Sequence, residues 1–269
     1  MADKRAGGGV QSLDRAFDLV ERMAEAGGSV GLSQLAALTG LPLPTIHRIL
    51  RSLVDSGYVR QEPSRRYALG PALIRLGDLA GRRLGSWAVP HLGALVEETG
   101  ETANVAMLEG DAVVYVAQVP SAHSVRMFTE VGRRFLPHCT GVGKALLSQL
   151  SDDEVRDIVR RTGMPAQTGH TITTPEALVT ELGGIRGRGY AVDDAEQEVG
   201  VRCVAVPVEA TPARVAISVS GPTGRVTSER VAEIATALQR VAAELAVDLR
   251  GDAAEGAGQP LSGPGRPAR

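Results

Sequence analysis

Residues 41–70 read LPLPTIHRILRSLVDSGYVRQEPSRRYALG, and this stretch decides the fold. Pro42 and Pro44 are barred from a helix interior. Pro44 nevertheless suits a first helical turn, where its missing N–H is not needed. From there Ile46, Ile49, Leu50, Leu53 and Val54 recur at helical spacing, and Gly57 stops the pattern. The other face shows Thr45, His47, Arg48, Arg51 and Ser52. Tyr58-Val59 and Tyr67-Ala68-Leu69 then read as two short strands, with the turn between them at Glu62–Arg66.

Upstream, Leu13, Ala16, Phe17, Val20, Met23 and Ala24 predict a helix capped by Ser12 and ended by Gly27-Gly28. Ser33 is read as the cap of a short helix carrying Leu35, Ala36 and Leu38, stopped by Gly40. Three helices and a two-stranded wing make a compact nucleic-acid module. A major groove about 12 Å wide admits one helix, which must bury one side and show polar and basic groups on the other. Arg48 is expected to pair with a guanine, while Arg51 and His47 take phosphates and Thr45 and Ser52 bond either. Ser33 is counted among the contacts. Arg65 and Arg66 at the turn would reach the backbone or a minor groove.

Charge is placed to match. Residues 43–66 hold five arginines against Asp55 and Glu62, whereas residues 81–269 hold 19 basic and 23 acidic groups. The whole chain of 269 residues carries a net charge of −2, so contact with a polyanion must come from a local patch. A merely solvated helix face is the bland alternative.

Aliphatic cores are expected, since 43% of the chain is apolar but only 3% aromatic. Cys139 and Cys203 are the only cysteines, which excludes a disulfide framework and suits a reducing compartment. The N-terminus has no signal-peptide pattern, and no stretch is apolar for the ~18 residues a membrane helix needs. A cytoplasmic protein without membrane contact is expected.

Residues 71–85 read as a helical linker, opened by Pro71 and interrupted at Gly81–Gly85. This segment is the expected transmission element. A helix near 86–99, a hairpin of Thr102–Leu108 and Ala112–Val119, and a strand at Val125–Thr129 follow. Gly141–Leu150, a helix capped by Ser151, and Thr174–Arg188 are helical. Asp193 and Asp194 are placed on a turn after Tyr190, and Cys203 near the start of strand Val201–Val208. Val215–Ser220 closes the sheet, and Ser228–Leu249 is a long helix. Residues 1–9 and 251–269 read as disordered.

In this second half, Thr140–Lys144 opens a helix, which suits an anion. Ser218 and Ser220 share one side of their strand. Helix N–H groups, a thiol, two hydroxyls and an acid would suit a small polar carboxylate or carbonyl compound. Singly, each has a structural reading: Gly141 and Gly143 as packing, the serines as strand residues, Cys203 as a small core side chain.

The stretch from Gly31 to Gly77 resembles the winged helix-turn-helix of the IclR family of bacterial transcription regulators. PHCTGVGKALL (137–147), GYAVDDAEQEVGVRCVAVPV (189–208) and ISVSGPTGR (217–225) resemble that family's effector-binding domain. The resemblance implies an α+β fold: a winged helix-turn-helix over 10–70, a linker helix over 71–85, and a GAF-like domain over 86–250. In that domain a central mixed or antiparallel sheet is flanked by helices. It also implies a homodimer or homotetramer on double-stranded DNA at a palindromic operator, a small-molecule effector and no cofactor. Likeness to the allantoin-pathway repressors of the family implies glyoxylate or a ureide such as allantoin or allantoate as ligand. Its contacts would fall on Gly141, Val142, Asp193, Cys203, Ser218 and Ser220. Val142 stands where a smaller residue is common, which narrows the pocket. Against this stand a ligand-independent dimeric DNA-binding protein, a thiol enzyme using Cys139, and a zinc site from His138, Cys139 and Cys203. The thiol enzyme is disfavoured because His138 and Cys139, taken as extended, would point to opposite faces. No enzyme and no metal are expected.

Overall fold

The computed structural model describes residues 10–127, 131–209 and 214–256. The expected disordered segment 1–9 and residues 257–269 of the expected tail lie outside them. The chain divides into two compact units at Arg82/Arg83.

Unit 1 runs α1 (Gln11–Glu25), β1 (Ser29–Val30), α2 (Leu32–Thr39), α3 (Leu43–Asp55), β2 (Val59–Gln61), β3 (Tyr67–Leu69) and α4 (Ala72–Leu84). The expected helices and wing are present, and β1 adds a strand that two residues were too short to announce. The three strands pair antiparallel in the order β1-β3-β2. The core holds Leu19, Met23, Val30, Leu35, Ile46, Leu50, Val59 and Tyr67.

Four expectations are corrected here. Val10, not Ser12, stands at the N-cap of α1, and Gly31, not Ser33, at that of α2. Ser33 lies exposed in the first turn of α2. Of the expected α1 stripe, only Met23 is fully buried; Leu13 is 55% and Phe17 69% exposed, and Leu19 takes the core position instead. The apolar residues of the helix form one broad arc, and only its Leu19–Met23 edge is fully buried, with Val20 partly buried beside it. Gly81 does not interrupt α4, which continues to Leu84.

Unit 2 is a three-layer arrangement. After a 3-10 turn (Ser86–Ala88) come α5 (Val89–Thr99), the hairpin β4 (Thr102–Glu109) and β5 (Ala112–Val119), and β6 (Arg134–Phe135). Next are α6 (Gly141–Leu147), α7 (Asp152–Thr162), α8 (Pro175–Arg188), β7 (Ala191–Asp194), β8 (Val201–Val208), β9 (Val215–Pro222) and α9 (Val231–Gly256). Residues 125–127 are not a strand, and 128–129 lie outside the described residues; β6 is the third partner on that side. Asp193 and Asp194 sit in β7, not on a turn, because β8 pairs with them. The helix α9 extends into the stretch expected to be disordered.

The six strands run antiparallel in the order β6-β5-β4-β9-β8-β7. Strand alternation sorts the two faces. One face carries Ala103, Val105, Val204, Val206, Ile217 and Val219 against Leu92 and Leu95 of α5 and Leu238, Val241 and Leu245 of α9. The other carries Ala106, Tyr115, Ala191, Ala205 and Ala216 against Leu146, Val155, Leu178 and Leu182 of α6–α8. Alanines on the second face let the short helices lie close to the sheet. Each fully buried Leu, Ile or Val contributes roughly 1.5–3 kcal/mol.

Candidate functional site

The solvent face of α3 is built from its sequence. At 3.6 residues per turn, Arg48 lies about 180° around the helix from the buried Ile46–Leu50 pair. It is therefore the outermost side chain of the helix. Arg51 and His47 flank it on one side, Ser52 and the half-buried Thr45 on the other. Among the described residues no ion pair or side-chain hydrogen bond engages His47, Arg48 or Arg51. Ser52 Oγ donates to the Arg48 carbonyl at 3.4 Å. Two other arginines of this unit are occupied: Arg22 with Asp18 and Glu25, and Arg60 with Glu62.

The wing turn is tight. Arg65 takes a positive φ of 62°, its N–H donating to Glu62 O at 2.9 Å. Both wing arginines are exposed, but Arg66 donates through Nη2 to the Ser29 carbonyl at 2.6 Å. Arg65 is thus the more available of the pair, and Arg66 also ties the wing to β1.

In unit 2, register gathers polar residues on the α6–α8 face. Asp193 lies opposite Cys203, Cys203 opposite Ser220, and Ser220 opposite Thr102, one residue from each of four adjacent strands. The next row holds Ala191, Ala205, Ser218 and Asn104. Asn104 Nδ2 donates to Ser220 Oγ at 3.2 Å and Ser218 Oγ at 3.4 Å, and Gln118 Nε2 donates to Asn104 Oδ1 at 2.8 Å. Asn104 and Gln118 were not singled out in the sequence. The apolar alternation around Asn104 in TANVAM is the signal that marks it as a buried polar group.

This end of the face opens on a cavity of about 250 Å³. Thr140, Asp193, Gln197, Cys203 and Ser220 supply its polar lining, Tyr115, Met127, Phe135 and Val201 its apolar wall, with Arg133 and Glu198 charged. Three of the six expected effector contacts, Asp193, Cys203 and Ser220, therefore line it. Gly141, Val142 and Ser218 do not. Val142 is fully buried in the core beneath α6, and Ser218 lies one row further in, held by Asn104. Gly141 serves close packing: a Cβ there would stand 2.9 Å from Cys203 Sγ.

At the α6 opening, where the sequence suggested an anion site, one N–H is already taken. Thr140 Oγ1 accepts from Gly143 N at 3.1 Å, closing the cap internally. Lys144 is buried: its Nζ pairs with Glu196 and donates to Val192 O at 2.6 Å. Glu181 lies 3.9 Å away. Burial pushes the Glu196 carboxyl up and Lys144 opposes it.

Asp193 Oδ1 accepts from the N–H of Glu196 at 2.7 Å and Gln197 at 3.3 Å. Loss of water nevertheless pushes its carboxyl up to about 7. Burial pushes both thiols, Cys139 and Cys203, up to about 12, so neither is a ready nucleophile. His138 and Cys139 lie in a 3-10 turn (Pro137–Cys139), not on extended chain. Cys139 Sγ donates to Gln197 Oε1 at 3.0 Å, while His138 Nε2 meets Pro165 O at 3.2 Å. Among the described residues His138, Cys139 and Cys203 form no metal-holding group.

A winged helix-turn-helix joined to a three-layer domain with a polar cavity defines the class: a DNA-binding transcription regulator. Residues 12–63 match the model of the IclR helix-turn-helix domain, and residues 79–247 that of the bacterial transcriptional regulator IclR C-terminal domain. The transcriptional repressor IclR of Escherichia coli K12 is 37% identical over 258 residues, 93% of this chain and 94% of that protein. The transcriptional repressor AllR of the same organism is 33% identical over 82% of this chain and 84% of its own. The crystal structure of an IclR-type transcriptional regulator from Alicyclobacillus acidocaldarius superposes with a TM-score of 0.77 at 29% identity. That superposition covers 89% of this chain and 98% of the other. The chain belongs to the IclR family of bacterial transcriptional regulators. It is a regulator, not an enzyme. Among the described residues no helix is long and apolar enough to cross a membrane.

Proposed function

We propose that the chain acts in the cytoplasm as a repressor. It holds a palindromic operator as a homodimer or homotetramer and releases it when a small carboxylate or carbonyl metabolite fills the unit 2 cavity. One observation carries the DNA reading: Arg48 and Arg51 stand on the outer side of α3 with no ion pair or side-chain hydrogen bond among the described residues, beside a helix face of hydroxyls and His47. The proposed contacts are Ser33, Thr45, His47, Arg48, Arg51 and Ser52 on the helices, with Arg65 and Arg66 on the wing. Arg48 reads a base; Arg51 and Arg65 hold phosphates.

Two features support the remaining parts. Unit 1 exposes Leu13, Phe17, Ile74 and Leu79 on α1 and α4. Clustered exposed apolar side chains mark an association face, and a second copy of the chain is the occupant we propose for it. The cavity row Asp193–Cys203–Ser220 supplies hydrogen-bond partners for a small polar ligand, with Gly141, Val142 and Ser218 supporting it from behind. The ligand need only favour the non-binding conformation; a tenfold preference is worth about 1.4 kcal/mol. Glyoxylate, allantoin and allantoate are the first candidates. The AllR resemblance that suggests the ureides is weaker than that to the IclR repressor.

Gel shifts and footprints on the chain's own upstream promoter test this, with and without those compounds. Arg48→Ala should relax preference at one base position by about 1–3 kcal/mol. Arg65→Ala should weaken binding to every sequence and lower the salt slope by about one unit. Salt-insensitive binding without fragment preference would defeat the DNA reading.

A further inference from the structure

Three consecutive apolar residues stand in the open where α3 begins. Pro42 is the N-cap, Leu43 the first helical residue, and Pro44 follows it; all three are exposed. The prolines have a local role, since they set the helix start. Leu43 has no such role. It is 46% exposed and, unlike Leu41 just before it, does not pack against the unit 1 core. A single exposed leucine is ordinary, but a run of three uncovered apolar residues marks a contact with something outside the fold.

Position says what that contact is. Pro44 lies one turn before Arg48 and Leu43 one turn before His47, so the pair continues the exposed side of α3 toward its start. Helical side chains lean toward the N-terminus, so both reach past the first turn. That turn holds no acidic residue, and Arg48 and Arg51 follow it, so the surroundings suit a polyanion. In a helix-turn-helix the N-terminal residues of the recognition helix meet base edges. The major groove offers one apolar group there, the 5-methyl of thymine.

Resting on α3 as the recognition helix, we propose that Leu43, with Pro44 beside it, reads a thymine methyl in each operator half-site. One turn of helix, about 5.4 Å, spans one to two base steps of about 3.4 Å. The thymine therefore lies one or two base pairs from the position that Arg48 reads. Arg48 specifies its base by hydrogen bonds, and Leu43 specifies the thymine by burying its methyl.

The test uses the full chain and its footprinted operator. Each thymine of one half-site, and then of both, is replaced by deoxyuridine, which lacks only the methyl. In gel shifts, affinity should fall about fourfold at one thymine position and about 15-fold with both half-sites changed, as one buried methyl per half-site requires. Leu43→Ala should bind the thymine operator about as weakly as the wild type binds the deoxyuridine one, and deoxyuridine should cost it nothing more. Leu43→Met keeps the apolar reach and should keep the sensitivity. The salt slope and thermal midpoint of both variants should match the wild type, whereas a structural role for Leu43 would move them. Deoxyuridine without effect at every thymine, or equal sensitivity in wild type and Leu43→Ala, overturns the proposal; the DNA reading stands if Arg48→Ala still relaxes its base. Sensitivity confined to thymines more than two base pairs from the Arg48 position also overturns it. A sedimentation coefficient changed by Leu43→Ala, with the deoxyuridine response intact, makes the patch a protein contact and overturns it as well. Absence of any salt-sensitive fragment preference overturns both this proposal and the DNA reading.

Discussion

Replacing Asp193 by Asn should change how the stability of unit 2 depends on pH. Asp193 is 4% exposed, and its Oδ1 accepts the N–H groups of Glu196 and Gln197. Burial pushes its carboxyl up to about 7, from 3.8 in the unfolded chain, against the pull of those N–H groups and Lys144. Between those two values the folded chain keeps a proton that the unfolded chain has lost. Stability is therefore highest below the unfolded value and falls as pH rises through the folded one. A shift of roughly three units at about 1.4 kcal/mol each sets a ceiling of about 4 kcal/mol on that loss. Asn accepts the same two N–H groups and never ionises. The stability of Asp193→Asn relative to wild type should therefore rise by several kcal/mol between pH 4 and pH 8. Glu196 is also raised, and its slope largely cancels in the difference. Urea melts followed by Trp87 fluorescence suit the measurement, since Trp87 is the sole tryptophan and packs on the unit 2 core. Parallel pH profiles for the two proteins would refute the reasoning.

Gly141→Ala should destabilise unit 2 by roughly 1–3 kcal/mol, through overpacking against Cys203 Sγ. In a urea double-mutant cycle, adding Cys203→Ala should recover part of that loss, and strict additivity would rule out the contact. Lys144→Met strands the buried Glu196 carboxylate and should cost about 3–5 kcal/mol at neutral pH, less in Lys144→Met with Glu196→Gln. Phe17→Asp, at a position 69% exposed, should leave the thermal midpoint of unit 1 nearly unchanged. It should convert the chain to monomers in sedimentation velocity and weaken operator binding with them.

What was legible in the sequence was local. The α3 stripe and its polar face follow from spacing alone, as do the Ser151 capping box and the glycines that end α2 and α8. The α1 face was misjudged because its apolar arc is broad, and nothing within the helix says which edge of it finds partners. Asp193 and Asp194 were read as a turn because the pairing that makes them a strand comes from β8. Lys144 was read as part of a helix opening suited to an anion, and nothing near it in the sequence announces Glu196, 52 positions away, as its partner. Tyr115, Phe135, Arg133 and Gln197 carried no local mark, since none belongs to a spaced motif.

Sequence by itself determined the family, the order of helices and strands, and the side of α3 that meets solvent. Each rests on periodicity or short-range caps, which act between residues a few positions apart. Tertiary structure decided which polar groups share a cavity and which are locked in internal pairs. The reason is physical: strand register sets Asp193, Cys203 and Ser220 side by side across three chain segments. Burial then decides whether a charge there is kept, paired or given up.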